Sequence, residues 1–264
     1  MIVVKLGGSV ITYKNGQRRV RGAVLAQLAS ELAAARDSLA LVHGGGSFGH
    51  REAAKWGLRG GGPGPTAPKR RLAAGARSVN DAMGLLNHRV LVTLQRAGLS
   101  PTGLPGAAVA KLRDGKLSSF DVAPFLSAFA NGLVPVTYGD AAPDSVRGHA
   151  IVSGDQLAHA LAKRLEAKRV VFVTDRDGLY TAPPGEAGAR LARRVSGAAL
   201  ARLAARGGDG THDVTGGMAG KLKEIRRIAA LGIPVTIVNG LVPGRLRDAL
   251  RGRPGVATTV VPGE

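Results

Sequence analysis

The sequence predicts an α/β protein, a three-layer αβα sandwich around a mostly parallel central sheet. Short runs of β-branched and aliphatic residues alternate along the chain with longer stretches of helical spacing. Those short runs are apolar throughout, as strands covered on both faces must be. A third observation locates the chemistry. Run after run ends in glycine or beside aspartate: Gly7 and Gly8, Gly44 to Gly46, Gly139 and Asp140, Asp175 to Gly178, Asn239 and Gly240. Ligands of parallel sheets sit beyond the carboxyl ends of the strands, so several of these ends are expected to converge.

Residues 2–6 form the first expected strand, containing Lys5 and closing on Gly7, Gly8 and Ser9. Residues 10–20 hold Lys14, Asn15 and Gly16, an expected hairpin or loop tip. Leu25, Leu28 and Leu32 give residues 23–35 helical spacing. Residues 39–42 are a buried strand that runs into Gly44, Gly45, Gly46, Ser47, Phe48, Gly49 and His50. Glycines without Cβ let a charged ligand approach the backbone, and the start of the following helix favours an anion. A short helix is expected at 52–57. Residues 59–71 (RGGGPGPTAPKRR) have no period and read as a basic surface loop.

Residues 72–97 carry the longest helical pattern, with Val79, Met83, Leu86, Val90 and Leu94 on one stripe. Short strands are expected at 102–106 and 109–112. Asp114 and Gly115 then turn into 116–120. A helix at 122–131 stops at Gly132, and 133–138 is a buried strand. Residues 143–149 read as a polar turn. Ile151 and Val152 lead through Ser153, Gly154 and Asp155 into a helix ending near Leu165. The strand at 169–173 precedes Thr174, Asp175, Arg176, Asp177, Gly178 and Tyr180. A short helix is expected at 197–205, and a glycine-rich loop at 206–217 opens a helix at 218–231. A strand at 235–238, a helix at 245–250 and a strand at 257–261 complete the order. The chain divides best near residue 150, into lobes 1–150 and 151–264 that share one sheet.

Composition narrows the function. The 264 residues are 44% hydrophobic but only 3% aromatic, so Ala, Leu and Val must build the core. Without cysteine, disulfides and cysteine-held metals are excluded. The N-terminus lacks the basic lead-in and long apolar run of a signal peptide. No apolar run of about 18 residues occurs, so no membrane span is expected, and a cytoplasmic setting is. Lys and Arg number 37 against 18 Asp and Glu, a net charge of +19. That field suits an acidic or phosphorylated ligand. A nucleic-acid-binding protein is the competing class, but the basic residues are scattered and stacking aromatics are scarce.

No P-loop is present, because Gly220 and Lys221 are followed by Leu222. Gly44, Gly46 and Gly49 match dinucleotide spacing, yet Lys69, Arg70 and Arg71 stand where its acidic ribose partner belongs. A different set does fit, in order along the chain: KLGGS at 5–9, GGGSFGH at 44–50, SGD at 153–155, DRDGLY at 175–180 and DVTGGMAGK at 213–221. Together they resemble the amino acid kinase superfamily, and GGGSFGH resembles its isopentenyl phosphate kinase branch.

The resemblance implies ATP-dependent transfer of a phosphoryl group to the phosphate of an isoprenoid monophosphate, with ATP and Mg²⁺ required, in a homodimer. It assigns catalytic work to Lys5, Lys14, His50, Asp155 and Lys221. Two phosphorylated reactants repel, so cations must gather between them. Lys5 would hold the transferred group, Lys221 would bridge the donor's β and γ phosphates, and Asp155 would hold the lysines. Gly8, Gly45, Gly46, Ser47, Gly49, His50 and Gly154 would bind the acceptor phosphate, and Val79, Met83 and Leu86 its apolar tail. Lys5, Gly7, Ser9, Thr174, Asp175, Gly178, Tyr180, Gly216, Met218 and Lys221 would bind ATP. The 1–150 lobe would take the acceptor and the 151–264 lobe the nucleotide. Magnesium would ride on the ATP phosphates, since no all-protein metal cage is visible. Related alternatives are a fosfomycin-type phosphonate kinase, which shares the glycine–histidine motif, and a uridylate kinase, in which His50 has no clear role. Gln156 departs from the superfamily's frequent SGDD.

Overall fold

The computed structural model describes residues 1–14, 18–58, 69–182, 186–197, 199–200 and 217–262. Its main sheet draws on strands from the whole length of the chain. They are β1 (Ile2–Leu6), β2 (Leu39–His43), β3 (Pro101–Pro105), β6 (Val134–Tyr138), β9 (Arg169–Thr174), β10 (Arg194–Ser196), β11 (Val235–Asn239) and β12 (Thr258–Val261). Their order is β10-β12-β11-β9-β1-β2-β6-β3. Every pairing is parallel except β11 with β12. β1 therefore lies centrally, with Lys5 in register with Val42 of β2 and Phe172 of β9.

Alternation along the strands sorts side chains to two faces. Ile2, Val4 and Leu6 of β1 and Val171 and Val173 of β9 enter one core, with α2 (Gly22–Ala33), α4 (Lys69–Arg96) and α9 (Arg245–Leu250). Val3, Val170 and Phe172 enter the other, with α7 (Gly154–Arg164) and α8 (Gly217–Ala229). This is the expected αβα layering. Lys5 shares the face of Val3, so it is directed toward α7 at the carboxyl end of its strand.

A second sheet, ordered β5-β4-β7-β8, packs beside the first. It joins β4 (Ala110–Arg113), β5 (Lys116–Phe120), β7 (Asp140–Asp144) and β8 (Gly148–Val152). The β4–β5 turn uses Asp114 and Gly115, both at positive φ, as its Asp-Gly sequence demands. Short helices α1 (Gly8–Ile11), α5 (Gly106–Val109) and α6 (Ala123–Ala130) are also present.

Several expectations need correction. The polar stretch at 143–149 is not all turn: it holds the end of β7, the start of β8 and the turn between them. Helix α3 (Gly46–Lys55) begins inside the glycine run, well before residue 52. Lys69, Arg70 and Arg71 open α4 and are not loop; residues 59–68 lie outside the described residues, as do 201–216 with most of the expected helix at 197–205.

Candidate active site

Three glycine-lined junctions meet around Lys5. The first, Gly7 and Gly8, follows β1. The second, Gly44 to Gly46, follows β2. The third, Gly154, opens α7. A Cβ built on Gly8 would stand 2.3 Å from the amide nitrogen of Gly46, and one on Gly154 3.4 Å from Lys5 Cε. Two backbone segments thus touch where side chains would hold them apart. Thr12 ties them: its hydroxyl donates to the carbonyl of Gly8 at 2.8 Å and accepts from Ser47 N–H at 3.1 Å. Helix α3 has no side-chain cap, and Gly45 is its N-cap residue.

Charge collects at the same point. Lys5, 6% exposed, sets Nζ 2.8 Å from Asp155 Oδ1. Burial alone would raise the Asp155 pKa, but the nearby Lys5, Lys221 and His50 prevail and hold it below the ordinary carboxylate value. One largely enclosed carboxylate, its side chain 15% exposed, therefore lies in the field of three basic residues from β1, α3 and α8. His50 itself is exposed on α3. Beyond it, Arg18, Arg51, Glu52 and Lys55 line a basic groove of about 480 Å³.

Lys14 is not in this cluster. Its ammonium, 63% exposed, pairs with Asp175 Oδ2 at 2.8 Å. Burial raises the Asp175 pKa, and Lys14 with the Ser9 hydroxyl more than offsets it, leaving the carboxyl below its usual range. Lys14, Ser9 and Asp175 thus form a second group, after β1 and β9. Gly7 donates to the carbonyl of Val173 at 2.8 Å. The Thr174 hydroxyl binds the carbonyl of Arg176 at 3.0 Å. Gly178 is packed so closely that a Cβ would reach within 2.4 Å of Thr258 Oγ1. Tyr180 shares a hydrogen bond with Asp177. Met218 is half-buried against the α7–α8 core. Gly216 lies outside the described residues.

Val79, Met83 and Leu86 are at most 2% exposed. The expected apolar slot is closed here, because the stripe packs into the α4 core. Met83 nevertheless touches the site: its sulfur would lie 3.2 Å from a Cβ on Gly45 and 2.8 Å from one on Gly49.

The sequence alone singles out none of His43, Thr12 and Asn87. His43 is fully buried at the end of β2, stacked on Tyr138 with ring centroids 5.1 Å apart. Its Nδ1 lies 3.3 Å from the carbonyl of Gly44 and its Nε2 3.2 Å from the Asn87 side chain. Burial, helped by the charge of Lys5, pushes its pKa down to about 4, so the ring is neutral. Asn87 fits only because residue 103 is glycine; a Cβ there would come within 2.7 Å of its amide nitrogen. Nothing local in the sequence links residues 43, 87 and 103.

Among the described residues no group of three or more His, Asp or Glu is arranged to hold a metal ion, and no helix is long and apolar enough to cross a membrane. What the site offers is anion chemistry: basic side chains and glycine-lined backbone at the end of a parallel sheet.

This fold and site define a phosphotransferase architecture, and the chain belongs to the amino acid kinase family, whose model matches residues 1–239. Its relatives are more particular. The chain is 36% identical over 257 residues to the isopentenyl phosphate kinase of Methanothermobacter thermautotrophicus, covering 96% of both chains. It is 32% identical over 251 residues to that of Thermoplasma acidophilum, covering 94% of this chain and 95% of the other. A crystal structure of an isopentenyl phosphate kinase superposes with a TM-score of 0.83 at 32% identity, covering 98% of this chain and 99% of that one.

Proposed function

We propose that this chain transfers the γ-phosphoryl group of ATP to isopentenyl phosphate, giving isopentenyl diphosphate and ADP. The observation that carries the reading is the gathering of Lys5, His50 and Lys221 around Asp155, beside the contact of Gly8 with Gly46. The likeness to isopentenyl phosphate kinases over nearly the whole chain supports the choice of acceptor.

The chemistry follows from charge. An acceptor phosphate oxygen attacks the γ-phosphorus; the bond from that phosphorus to the β–γ bridging oxygen breaks, and ADP takes the electron pair. The attacking oxygen is already anionic, so no strong base is needed. The task is positioning and charge neutralisation. His50 donates to the acceptor phosphate, with Gly45 and Gly46 offering backbone and Ser47 its hydroxyl at the start of α3, Gly49 leaving room for Met83, and Gly8 and Gly154 keeping the space open. Lys5 stabilises the group in transit and Lys221 the β and γ phosphates, while Asp155 keeps both cations in place. Lys14 exchanges Asp175 for a phosphate oxygen when nucleotide binds. Gly7, Ser9, Thr174, Asp175, Gly178, Tyr180, Gly216 and Met218 form the nucleotide side. Magnesium, held by the ATP phosphates, adds charge neutralisation there. The isoprenoid tail lies against Val79, Met83 and Leu86, where Met83 has to give way. Residues 1–150 supply most of the acceptor side and 151–264 most of the nucleotide side, with Gly7, Ser9 and Lys14 crossing to the nucleotide and Gly154 to the acceptor. We extend the reading to a cytoplasmic homodimer, which sedimentation of the purified chain checks for assembly.

An ADP-release assay tests the reading. Turnover is expected with isopentenyl phosphate and Mg-ATP, and none with fosfomycin; the reverse pattern would overturn the assignment. His50→Ala is expected to lower kcat/KM by roughly 10²–10³, the usual loss for one transition-state donor, at unchanged melting temperature. Wild-type kinetics would remove His50 from the mechanism.

A further inference from the structure

Glu224, on α8, is a carboxylate where a core residue is expected. It is 5% exposed and sits beside Leu222, Ile225 and Ile228, which pack against Leu157 and Leu161 of α7. Burying a carboxylate is costly unless it is paired. Its Oε2 lies 2.9 Å from Nδ1 of His159 on α7, off the hydrogen-bond direction. Its Oε1 accepts from Arg227 at 2.9 Å.

The spacing gives the pair its meaning. Asp155 and His159 are four residues apart on α7, and Lys221 and Glu224 are three apart on α8. Residues so spaced share a helix face. The contact of His159 with Glu224 and the field of Lys221 at Asp155 therefore fall along the same two helix faces. Asp155 faces the field of Lys221 at the site, and His159 meets Glu224 one turn further in. The order reads acid then base on α7 and base then acid on α8. Sliding one helix by a turn would set Glu224 beside Asp155, two carboxylates together, and the opposite slide would set Lys221 beside His159, away from its carboxylate. Fixing register is the best-attested use of a buried polar pair, since such pairs add little net stability.

We propose that His159 and Glu224 are a positioning pair, which sets the register of α8 against α7 and so holds Lys221 at the phosphoryl path. The proposal rests on the reading of Lys221 as a phosphate contact. Neither residue of the pair touches substrate in it.

The test is steady-state kinetics on the full chain with the double variant His159→Leu/Glu224→Leu. Apolar residues of similar size often keep or raise the stability of a buried pair's site. The expected result is a melting temperature equal to or above wild type, with kcat/KM for ATP lowered about 10- to 100-fold, the scale of a misplaced group. KM for isopentenyl phosphate is expected to stay unchanged. Wild-type kinetics for ATP would overturn the proposal. Should the double variant not fold, Glu224→Gln and His159→Gln serve instead. A several-fold rise in KM for ATP in each, without loss of melting temperature, supports the pair, and wild-type values in both overturn it. Lys221→Ala distinguishes failure of the pair from failure of Lys221 as a phosphate contact. If it abolishes turnover while the pair variants keep theirs, only the pair fails. If Lys221→Ala itself turns over normally, the reading of Lys221 fails and the proposal with it.

Discussion

Helices α3 and α7 both begin against Lys5, yet they treat their first turns in opposite ways. α7 satisfies its own amides. Ser153 accepts from Gln156 N–H at 3.1 Å, and the Gln156 side chain accepts from Ser153 N–H at 2.8 Å, a complete capping box. α3 has glycine at its N-cap and no side-chain cap. One start is closed and presents a carboxylate, Asp155. The other is built from backbone and hydroxyl contacts and presents an imidazole, His50. A glycine run beside a helix start is informative because it leaves out what ordinary helices supply.

The comparison breaks most completely at Gly46. Its φ is +48°, and a Cβ there would lie 2.1 Å from Thr12 Oγ1 and 2.7 Å from the carbonyl of Gly8. Gly46→Ala must strain the backbone or separate α3 from α1. Left-handed conformation costs a non-glycine residue roughly 1–2 kcal/mol, and overpacking adds about 1–3 kcal/mol. Turnover should fall by about two orders of magnitude, since small misplacements cost that much. A folded Gly46→Ala variant with ordinary kcat/KM would show that the close approach is incidental.

Each helix start also leans on one buried titratable group, and the two respond to pH with opposite sign. His43 supports the α3 side through the carbonyl of Gly44. Asp140 follows Gly139, whose Cβ would lie 3.0 Å from Gly154 N at the start of α7. Burial depresses the His43 pKa from 6.5 to about 4. Unfolding then lets the ring take up a proton, so its stability contribution is lost as pH falls from about 6.5 to 4. Burial raises the Asp140 pKa from 3.8 to about 7. Its neutral form is favoured in the fold, so stability is lost as pH rises from about 4 to 7. At 1.36 kcal/mol per pKa unit each is worth on the order of 3–4 kcal/mol across its window, and the two largely cancel. Denaturant titrations at pH 4 to 7 expose them singly. Relative to wild type, Asp140→Asn should gain stability as pH rises, and His43→Gln should lose it. Two differences independent of pH would refute the opposition.

The order of strands and helices was legible because buried parallel strands read as continuous apolar runs. The meeting of Lys5, Asp155, His50 and Lys221 was foreseeable for a related reason: strand ends converge in such a sheet, and motifs at those ends travel together. What could not be read depends on contacts distant in sequence. Strand β7, with the sequence DAAPD, has neither β-branched residues nor alternation. It is placed by Asn80 of α4, which donates to the carbonyl of Ala141 and accepts from its N–H. The first turn of α3 was invisible because glycine is a poor helix former, and the packing of Gly46 on Gly8 decides its conformation. The apolar stripe on α4 was legible as core; a slot alongside it was not, because cavities depend on how side chains settle.

Gln156 sharpens the comparison with the smallest effect. A second aspartate at this position, as in SGDD, has no N–H donors, whereas Gln156 also donates from Nε2 to the carbonyl of Gly115, 3.3 Å away in the β4–β5 turn. The residue thus caps α7 and fastens the second sheet to the site. Gln156→Ala should lose about 1 kcal/mol of stability, the ordinary worth of a cap interaction. Gln156→Asp removes the bridge to Gly115 while leaving an acidic residue near the helix start, where the dipole favours it, so it should lose less. If Gln156→Asp proves as unstable as Gln156→Ala, the bridge matters more than the cap, and the closed start of α7 is secured from the neighbouring sheet rather than by its own first turn.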